Sequence, residues 1–275
     1  MDVVEVLGVR FHNLNRREAA AAIARLATGT GKGYVVKPYS EFLPRAAKDR
    51  AVRDILNGAA LCLADGVGIL WAAHYLRLPG GPLRALAQLP PSLASLAWNP
   101  RVLRRPLKEE MAGVDLTWEM LAALDGAGAS VFLLGGAPAE VDGARSAIER
   151  RFQRLRVVGS REGHFPARGP GNGRIVAEIN ATRPQVLLVA MGFPRQEKWI
   201  AENLERLDIH VAVAEGGSFS FMAGTTRRAP RWMRRAGLEW LFRLLRQPWR
   251  LRRQLALPVF VWLVVREWLR AAARR

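Results

Sequence analysis

Charged residues suited to group-transfer chemistry follow short apolar runs of the sequence. Asp65 leaves the run 60–64 at a glycine turn, where a carboxylate can accept a proton or bind a sugar hydroxyl. An aspartate at this position can also cap the following helix, and the two roles can coexist. Lys37 follows the run 34–36 and is either a phosphate ligand or a surface lysine before a helix.

Two glycine-containing turns are candidates for anion binding. Gly135 and Gly136 precede a proline, and glycines that open a helix bring backbone N–H groups toward an anion. The signal is weak, because the sequence there lacks the lysine and hydroxyl of a P-loop and the full dinucleotide fingerprint. The string MGFPRQEKW, residues 191–199, predicts a turn and a helix whose polar start, including Gln196, can reach a nucleotide base or diphosphate. The alternative is a helix-initiating turn with Glu197 near the positive end of the helix dipole.

The sequence offers little for metal or redox chemistry. It has no HExxH, CxxC or paired-histidine spacing, which argues against a transition-metal site, and no cofactor is predicted. The single cysteine, Cys62, excludes an intramolecular disulfide and lies in an apolar run, which predicts a small core residue.

The elements that must position these residues alternate between strands and helices. Strands are predicted at 34–36, 60–64, 131–134, 156–159, 186–190 and 211–214, and helices at 41–57, 113–127, 139–152, 173–183 and 196–207. The pattern predicts an α/β fold, with a Rossmann-like, mostly parallel sheet and helices on both faces. Ligands of such sheets bind beyond the carboxyl ends of the strands, where the residues above lie.

A proline-rich segment, residues 79–106, interrupts this alternation. It contains six prolines and is predicted to be an insertion or a mobile loop between two helices. It is either a lid or membrane-contacting loop, or an exposed insertion with no catalytic role. We therefore expect a catalytic unit over 1–224 that includes this insertion.

The remaining segment, 225–275, is predicted to be a helical, basic appendage. Residues 227–275 contain fourteen arginines and two glutamates, so +12 of the net charge of +18 lies there. Tryptophans are interleaved with these arginines at Trp232, Trp240, Trp249, Trp262 and Trp268. An apolar stripe is formed by Leu238, Leu241, Phe242 and Leu245. This combination is typical of a helix lying in an anionic membrane surface, and the alternative is that the stripe packs on the protein's own core. The run 255–265 is too short to span a bilayer.

Five strings, in order, resemble the WecG/TagA/CpsF glycosyltransferases, glycosyltransferase family 26. They are ADGVG from Ala64, AGVDL from Ala112, VFLLGG from Val131, MGFPRQEKW from Met191 and RAPRW from Arg228, followed by GLEW from Gly237. The resemblance covers roughly residues 30–255 apart from the insertion.

This resemblance implies metal-independent, inverting transfer of an N-acetylhexosamine. The usual donor is UDP-N-acetylmannosamine, and the usual acceptor is a polyprenyl-diphosphate-linked sugar at the cytoplasmic face of the membrane. The family's proposed general base falls on Asp65, and a residue near the nucleotide sugar falls on Gln196. Tail arginines that engage the diphosphate correspond to Arg228 and, less directly, to Arg227 and Arg231.

The chain departs from the family pattern at four positions. Lys37 stands in place of the threonine of Thr-x-Asn, and Glu110 in place of the arginine of Glu-Arg. Glu215 lies where the family has Gly-Val-Gly, and Ser220 replaces an aspartate. Lys37 is a candidate replacement cation at the diphosphate.

Three functions are compatible with these features. The first is the glycosyltransferase, and the second is an inactive family member that binds a lipid-linked sugar or a partner at the membrane. The third, a nucleic-acid-binding protein, is suggested by charge alone, and the partition of charge and tryptophans into the tail disfavours it. Expected partners are therefore a UDP-sugar, a polyprenyl-diphosphate-linked acceptor and an anionic membrane surface, with homo-oligomerisation left open.

Overall fold

The computed structural model describes residues 1–98, 100–111, 113–166, 168–230, 233, 239–246, 251 and 255–273. Its centre is a six-stranded parallel sheet in the order β4-β3-β8-β7-β5-β6. The strands are β3 (Gly33–Val36), β4 (Leu61–Cys62), β5 (Ser130–Gly135), β6 (Arg156–Arg161), β7 (Val186–Ala190) and β8 (Val211–Ala214). The predicted parallel sheet is confirmed, and each predicted strand is present with small shifts of its ends.

Helices cover both faces of the sheet, because successive strand residues point to opposite sides. Val36 and Leu134 contribute to one core, and their neighbours Val35 and Leu133 contribute to the other. The helices packed on the second core are α1 (Arg16–Thr28), α6 (Gly113–Gly126), α7 (Pro138–Arg151) and α10 (Ser218–Met222). Those on the first include α2 (Phe42–Lys48), α3 (Arg50–Asn57), α4 (Val67–Tyr75), α8 (Pro170–Thr182) and α9 (Arg195–Asn203).

Two local features differ from the sequence prediction. The expected helix 41–57 is two helices, because Asp49 adopts an extended backbone and its carboxylate caps α3 at Val52 N. The N-terminal residues form an antiparallel hairpin, β1 (Val3–Val6) and β2 (Val9–His12), which was not predicted. Its two-residue turn places Leu7 at a positive φ, and that residue type gives no turn signal.

The proline-rich segment is a helix, so the prediction of a mobile loop is wrong. Residues Pro82–Trp98 form α5, with Pro90 and Pro91 inside it, and a short 3₁₀ helix, Pro100–Leu103, follows. Leucines on one side of α5 pack against the first core, and the indole N–H of Trp71 donates to Ser92 Oγ. Tertiary contacts thus hold a helix where two consecutive prolines predict a break.

The tail contains α11 (Glu239–Arg246) and α12 (Ala256–Ala272). One face of α12 is part of the first core, with Phe260, Val264 and Trp268 buried. Trp268 donates its indole N–H to Leu78 O, so the prediction of an interfacial role is wrong for this tryptophan. Trp262 is exposed, as an interfacial residue would be. Trp232 and Trp249 lie outside the described residues, and the boundary at residue 225 stays a prediction.

Candidate active site

The carboxyl ends of the parallel strands gather the predicted site residues at one edge of the sheet. Lys37 follows β3, Asp65 follows β4, and Gly135 ends β5. The loops after β3 and β4 are joined directly, since Asp65 N donates to Pro38 O over 3.1 Å. The candidate site lies at this edge, as expected for a doubly wound sheet.

Asp65 lies against the start of α6. A Cβ built on Gly113 would lie 3.4 Å from Asp65 Oδ2 and 4.0 Å from Ser218 Oγ, in ordinary van der Waals contact, so the carboxylate lies close to Gly113. Asp65 is partly exposed and therefore open to solvent. The capping position of α4 belongs to Gly66, at φ +85°, rather than to Asp65. The Asp65 carboxylate therefore lies at the carboxyl edge of the sheet, beside the first turn of α6.

Beside Asp65, Lys37 forms a buried ion pair with Glu215, the residue that follows β8. Lys37 Nζ lies 2.8 Å from Glu215 Oε2, and the two side chains are 4% and 0% exposed. Thr117 on α6 donates its hydroxyl to the same oxygen over 2.5 Å, and its Oγ lies 2.9 Å from Gly113 O. The surface-lysine alternative for Lys37 is excluded, while its contact with a phosphate stays a prediction.

A second cation reaches the same region from the tail. The guanidinium of Arg228 forms a two-pronged ion pair with Asp115, in the first turn of α6, with Nη2 3.2 Å from Oδ2. Asp115 follows Gly113 by two residues, so this pair places Arg228 at the first turn of α6, the turn that also lies next to Asp65. Arg227 is exposed. Arg231 lies outside the described residues.

Gln196 links the loops after β7 and β8. Its buried Oε1 accepts hydrogen bonds from Met191 N at 3.3 Å, Gly192 N at 3.2 Å and Gly216 N at 3.0 Å. Its Nε2 donates to Glu197 Oε1 at 2.8 Å. The side chain therefore fixes the backbone around the site, and its contact with a nucleotide sugar stays a prediction.

Glu197 is a buried acid next to this link. It is 2% exposed, and its Oε2 has no hydrogen-bond partner among the described residues. Burial raises the pKa of Glu197 to about 7, while the hydrogen bond from Gln196 acts in the opposite direction. The sequence pattern placed Glu197 near the helix dipole but gave no sign that this carboxyl group is buried.

Gly135 and Gly136 have a structural reason for being glycines. A Cβ on Gly135, at φ +125°, would lie 2.3 Å from Ala190 O on the neighbouring strand. At the start of the following helix, the backbone N–H of Ala137 already donates to Glu140 Oε2 over 2.9 Å. Phosphate binding by these glycines stays a prediction.

Three site residues were not selected from the sequence as functional. Thr117 and Ser218 lie on helices and become neighbours only when α6 and α10 pack together, so no local pattern marks them. Glu215 carries a signal, namely an acid directly after an apolar strand, but its partner Lys37 is 178 residues away.

Neither a metal-binding cluster nor a membrane-spanning helix is found among the described residues. The part of the chain that the structure describes contains no group of three or more His, Cys, Asp or Glu side chains able to hold a metal ion. Among the same residues, no helix is both long enough and apolar enough to cross a bilayer.

The site thus combines a Rossmann-like sheet with a carboxylate and two ion-paired cations near its carboxyl edge, where sheets of this class bind ligands. Comparison with known families is more specific. The chain belongs to the glycosyl transferase WecG/TagA/CpsF family, which it matches over residues 4–97 and 87–274. The resemblance drawn from the motifs is confirmed.

Named relatives share most of their length with this chain. The N-acetylglucosaminyldiphosphoundecaprenol N-acetyl-beta-D-mannosaminyltransferase of Bacillus subtilis (strain 168) is 28% identical over 222 residues, 81% of this chain and 75% of the relative. The protein of the same description from Staphylococcus aureus (strain MW2) is 25% identical over 265 residues, 96% of this chain and 92% of the relative.

Proposed function

We propose that this protein is an inverting glycosyltransferase that moves an N-acetylhexosamine, in the first instance N-acetylmannosamine, from a UDP-sugar to a polyprenyl-diphosphate-linked sugar. Its product would enter the synthesis of a cell-surface polysaccharide. The family match and the names of the relatives support the reaction and both substrate classes.

The observation that carries the proposal is the position of Asp65 at the start of α6, the helix whose side chains contact two cationic residues. Its carboxylate lies against Gly113, which begins the helix that holds both Thr117 and Asp115. Thr117 contacts the Lys37–Glu215 pair, and Asp115 holds Arg228. One helix thus connects a candidate base with both candidate cations.

Each group has a role in an inverting transfer. Asp65 accepts the proton of the acceptor hydroxyl as that oxygen attacks the anomeric carbon, and the bond to UDP breaks on the opposite side. Negative charge then develops on the leaving diphosphate, where Arg228 and Lys37 stabilise it. Arginine and lysine can supply this charge without a metal ion.

The lipid-linked acceptor requires access to a membrane. We assign the protein to the cytoplasmic face as a peripheral protein, docked by its basic tail on anionic lipid. The exposed indole of Trp262, with the Arg266 guanidinium 4.5 Å above its ring, supports this docking.

A transfer assay tests the proposal. UDP-sugars are screened against a short-chain polyprenyl-diphosphate-GlcNAc, with release of UDP and glycosylated lipid as readouts. Asp65→Asn should lower kcat by about 10²-fold or more while donor binding persists. The control is Asp208→Asn, the same change at an exposed residue before β8, at the opposite edge of the sheet. Full turnover by Asp65→Asn would reject the role of this residue as the base.

A further inference from the structure

The outer side of α5 is an exposed apolar stripe. Leu83 is 85% exposed and Leu86 is 48% exposed, and Ala87 and Pro90 on the same side are also exposed. Spacings of three, four and seven residues place these four on one helical face. The helix contains one charged residue, Arg84, among its seventeen. A surface helix normally turns polar residues toward water, so this face lacks the composition of a solvated surface.

The opposite side of α5 fixes which face points outward. Leu89, Leu93 and Leu96 pack against the first core, and Ser92 accepts the indole N–H of Trp71 from α4. α5 also contacts α12, whose Val259 and Trp262 are exposed. The stripe therefore cannot be buried by a simple rotation of the helix without losing these contacts.

The positive charge around the stripe indicates what kind of surface binds to it. Residues 66–108 contain five arginines and one lysine and no aspartate or glutamate. Four of these arginines flank α5 or lie on it and are exposed, namely Arg77, Arg84, Arg104 and Arg105. A second copy of this chain would bring the same positive charge to the contact and be repelled, whereas an anionic bilayer would be attracted.

We infer that the outer face of α5 inserts into the interface of an anionic lipid bilayer. Leu83 and Leu86 enter the acyl boundary, and the flanking arginines meet the lipid phosphates. α5 is thus a second lipid-contacting element, separate in sequence from the basic tail.

The position of α5 relative to Asp65 links this lipid contact to catalysis, and this link rests on the proposed function. The segment that contains α5 leaves the sheet after Asp65 and returns where Met111 N donates to Ala64 O over 2.7 Å. Both ends of the segment therefore lie beside the candidate base. Docking of α5 holds the candidate base close to the lipid surface in which the acceptor is anchored.

A fluorescent probe tests the insertion directly. Cys62 is 1% exposed, so in Leu86→Cys the introduced thiol is the accessible one for a nitrobenzoxadiazole label. With phosphatidylcholine vesicles that contain one part in about three of phosphatidylglycerol, we expect a blue shift and a gain in emission. A label on Thr28→Cys, exposed at the opposite edge of the sheet, should not respond. A label at position 86 that stays unchanged while the protein co-sediments with the vesicles would overturn the inference.

Two variants measure the contribution of the stripe. Leu83→Gln/Leu86→Gln should weaken partitioning into anionic vesicles by about tenfold or more, because two leucines no longer leave water. Val3→Gln, at an exposed strand position, should leave it unchanged. A label response that depends on protein concentration without vesicles would assign the face to a second copy and reject the lipid.

Turnover separates this inference from the proposed function. The double variant should keep wild-type rates with a water-soluble acceptor and lose rate with an acceptor embedded in vesicles. Absence of turnover by the wild type on any acceptor would reject the proposed function, while the vesicle measurements would still decide the role of α5. If the double variant matched the wild type in its rates on both acceptors and in its binding to vesicles, the inference about α5 would be rejected while the proposed function would stand.

Discussion

Lys37 and Glu215 form an ion pair across the ends of the adjacent strands β3 and β8, with Nζ and Oε2 2.8 Å apart. Both residues depart from the family pattern, and the contact makes them a single coupled departure. A lysine alone at this buried position would lack a counter-charge, as would a glutamate alone. The lost threonine is therefore not an isolated defect of the site.

The coupling predicts the stability of three variants. Lys37→Thr and Glu215→Val should each lower the free energy of unfolding by about 3 kcal/mol, because each leaves an unpaired buried charge. The double variant, with both charges removed, should return to within about 1 kcal/mol of the wild type. Urea denaturation monitored by tryptophan fluorescence measures all four proteins, and additive losses in the double variant would contradict the coupling.

The same double variant tests the chemistry of Lys37. With stability restored, a lower kcat reports the missing cation rather than unfolding. We expect a loss of about a hundredfold if the ammonium stabilises the leaving diphosphate. Full turnover would show that a neutral threonine suffices at this position and that the ammonium group of Lys37 is not required at the diphosphate.

The pair between Arg228 and Asp115 predicts an effect on rate with little effect on stability. The two side chains are 24% and 30% exposed, so Arg228→Gln should change the free energy of unfolding by less than about 1 kcal/mol. Turnover should fall by about a hundredfold if the guanidinium meets the diphosphate. The matched control is Arg154→Gln, at an exposed arginine before β6. Equal turnover of the two variants would show that Arg228 has no role in the transfer reaction.

The hydrogen bonds of Gln196 predict that its loss lowers both the stability of the protein and its affinity for UDP. Gln196→Met fills a similar volume but leaves the backbone N–H groups of Met191, Gly192 and Gly216 without their acceptor. We expect a loss of about 2–3 kcal/mol in the free energy of unfolding and weaker binding of UDP by calorimetry. At pH 5, where Glu197 is protonated and can donate to the new carboxylate, Gln196→Glu retains an acceptor oxygen and should be more stable than Gln196→Met. The reverse order would show that the three backbone contacts are not what Gln196 contributes.

The sequence predicted the sheet because short apolar runs of three to five residues, alternating with helical patterns, indicate buried strands. It also predicted that Lys37, Asp65 and Gln196 lie at one edge, since the carboxyl ends of parallel strands share that edge. The hairpin β1–β2 could not be predicted, because its turn uses Leu7 at a positive φ in place of a typical turn residue. The helix α5 was not predicted either, because Pro90 and Pro91 lie inside it and tertiary packing maintains it.

The site contacts that the sequence could not predict are pairings between residues far apart in the chain. The partners Lys37 and Glu215 are 178 residues apart, and Asp115 and Arg228 are 113 residues apart. Strand order decides the first pair and the path of the tail decides the second, and neither follows from a local pattern. For Gln196 the sequence identified the residue, whereas the hydrogen bonds that define its structural role join two loops from different strands.

Glu197 predicts a pH dependence of stability. Its pKa is raised from 4.5 to about 7 by burial, so the folded state holds this proton more tightly than the unfolded state does. Between these values the folded state binds more protons, and stability therefore falls as pH rises from about 4.5 to about 7. Across this window the contribution of Glu197 amounts to about 3 kcal/mol, since each pKa unit is worth 1.36 kcal/mol.

Glu197→Gln isolates this contribution, because a neutral amide of the same shape can still accept the hydrogen bond from Gln196. The variant should lose the decline between pH 4.5 and pH 7 and exceed the wild type in stability at pH 8. Urea denaturation at half-unit pH steps provides the two profiles, and Glu205→Gln, at an exposed residue, controls for removal of a charge. If the profiles of wild type and Glu197→Gln run parallel, the buried carboxyl group does not titrate in this range.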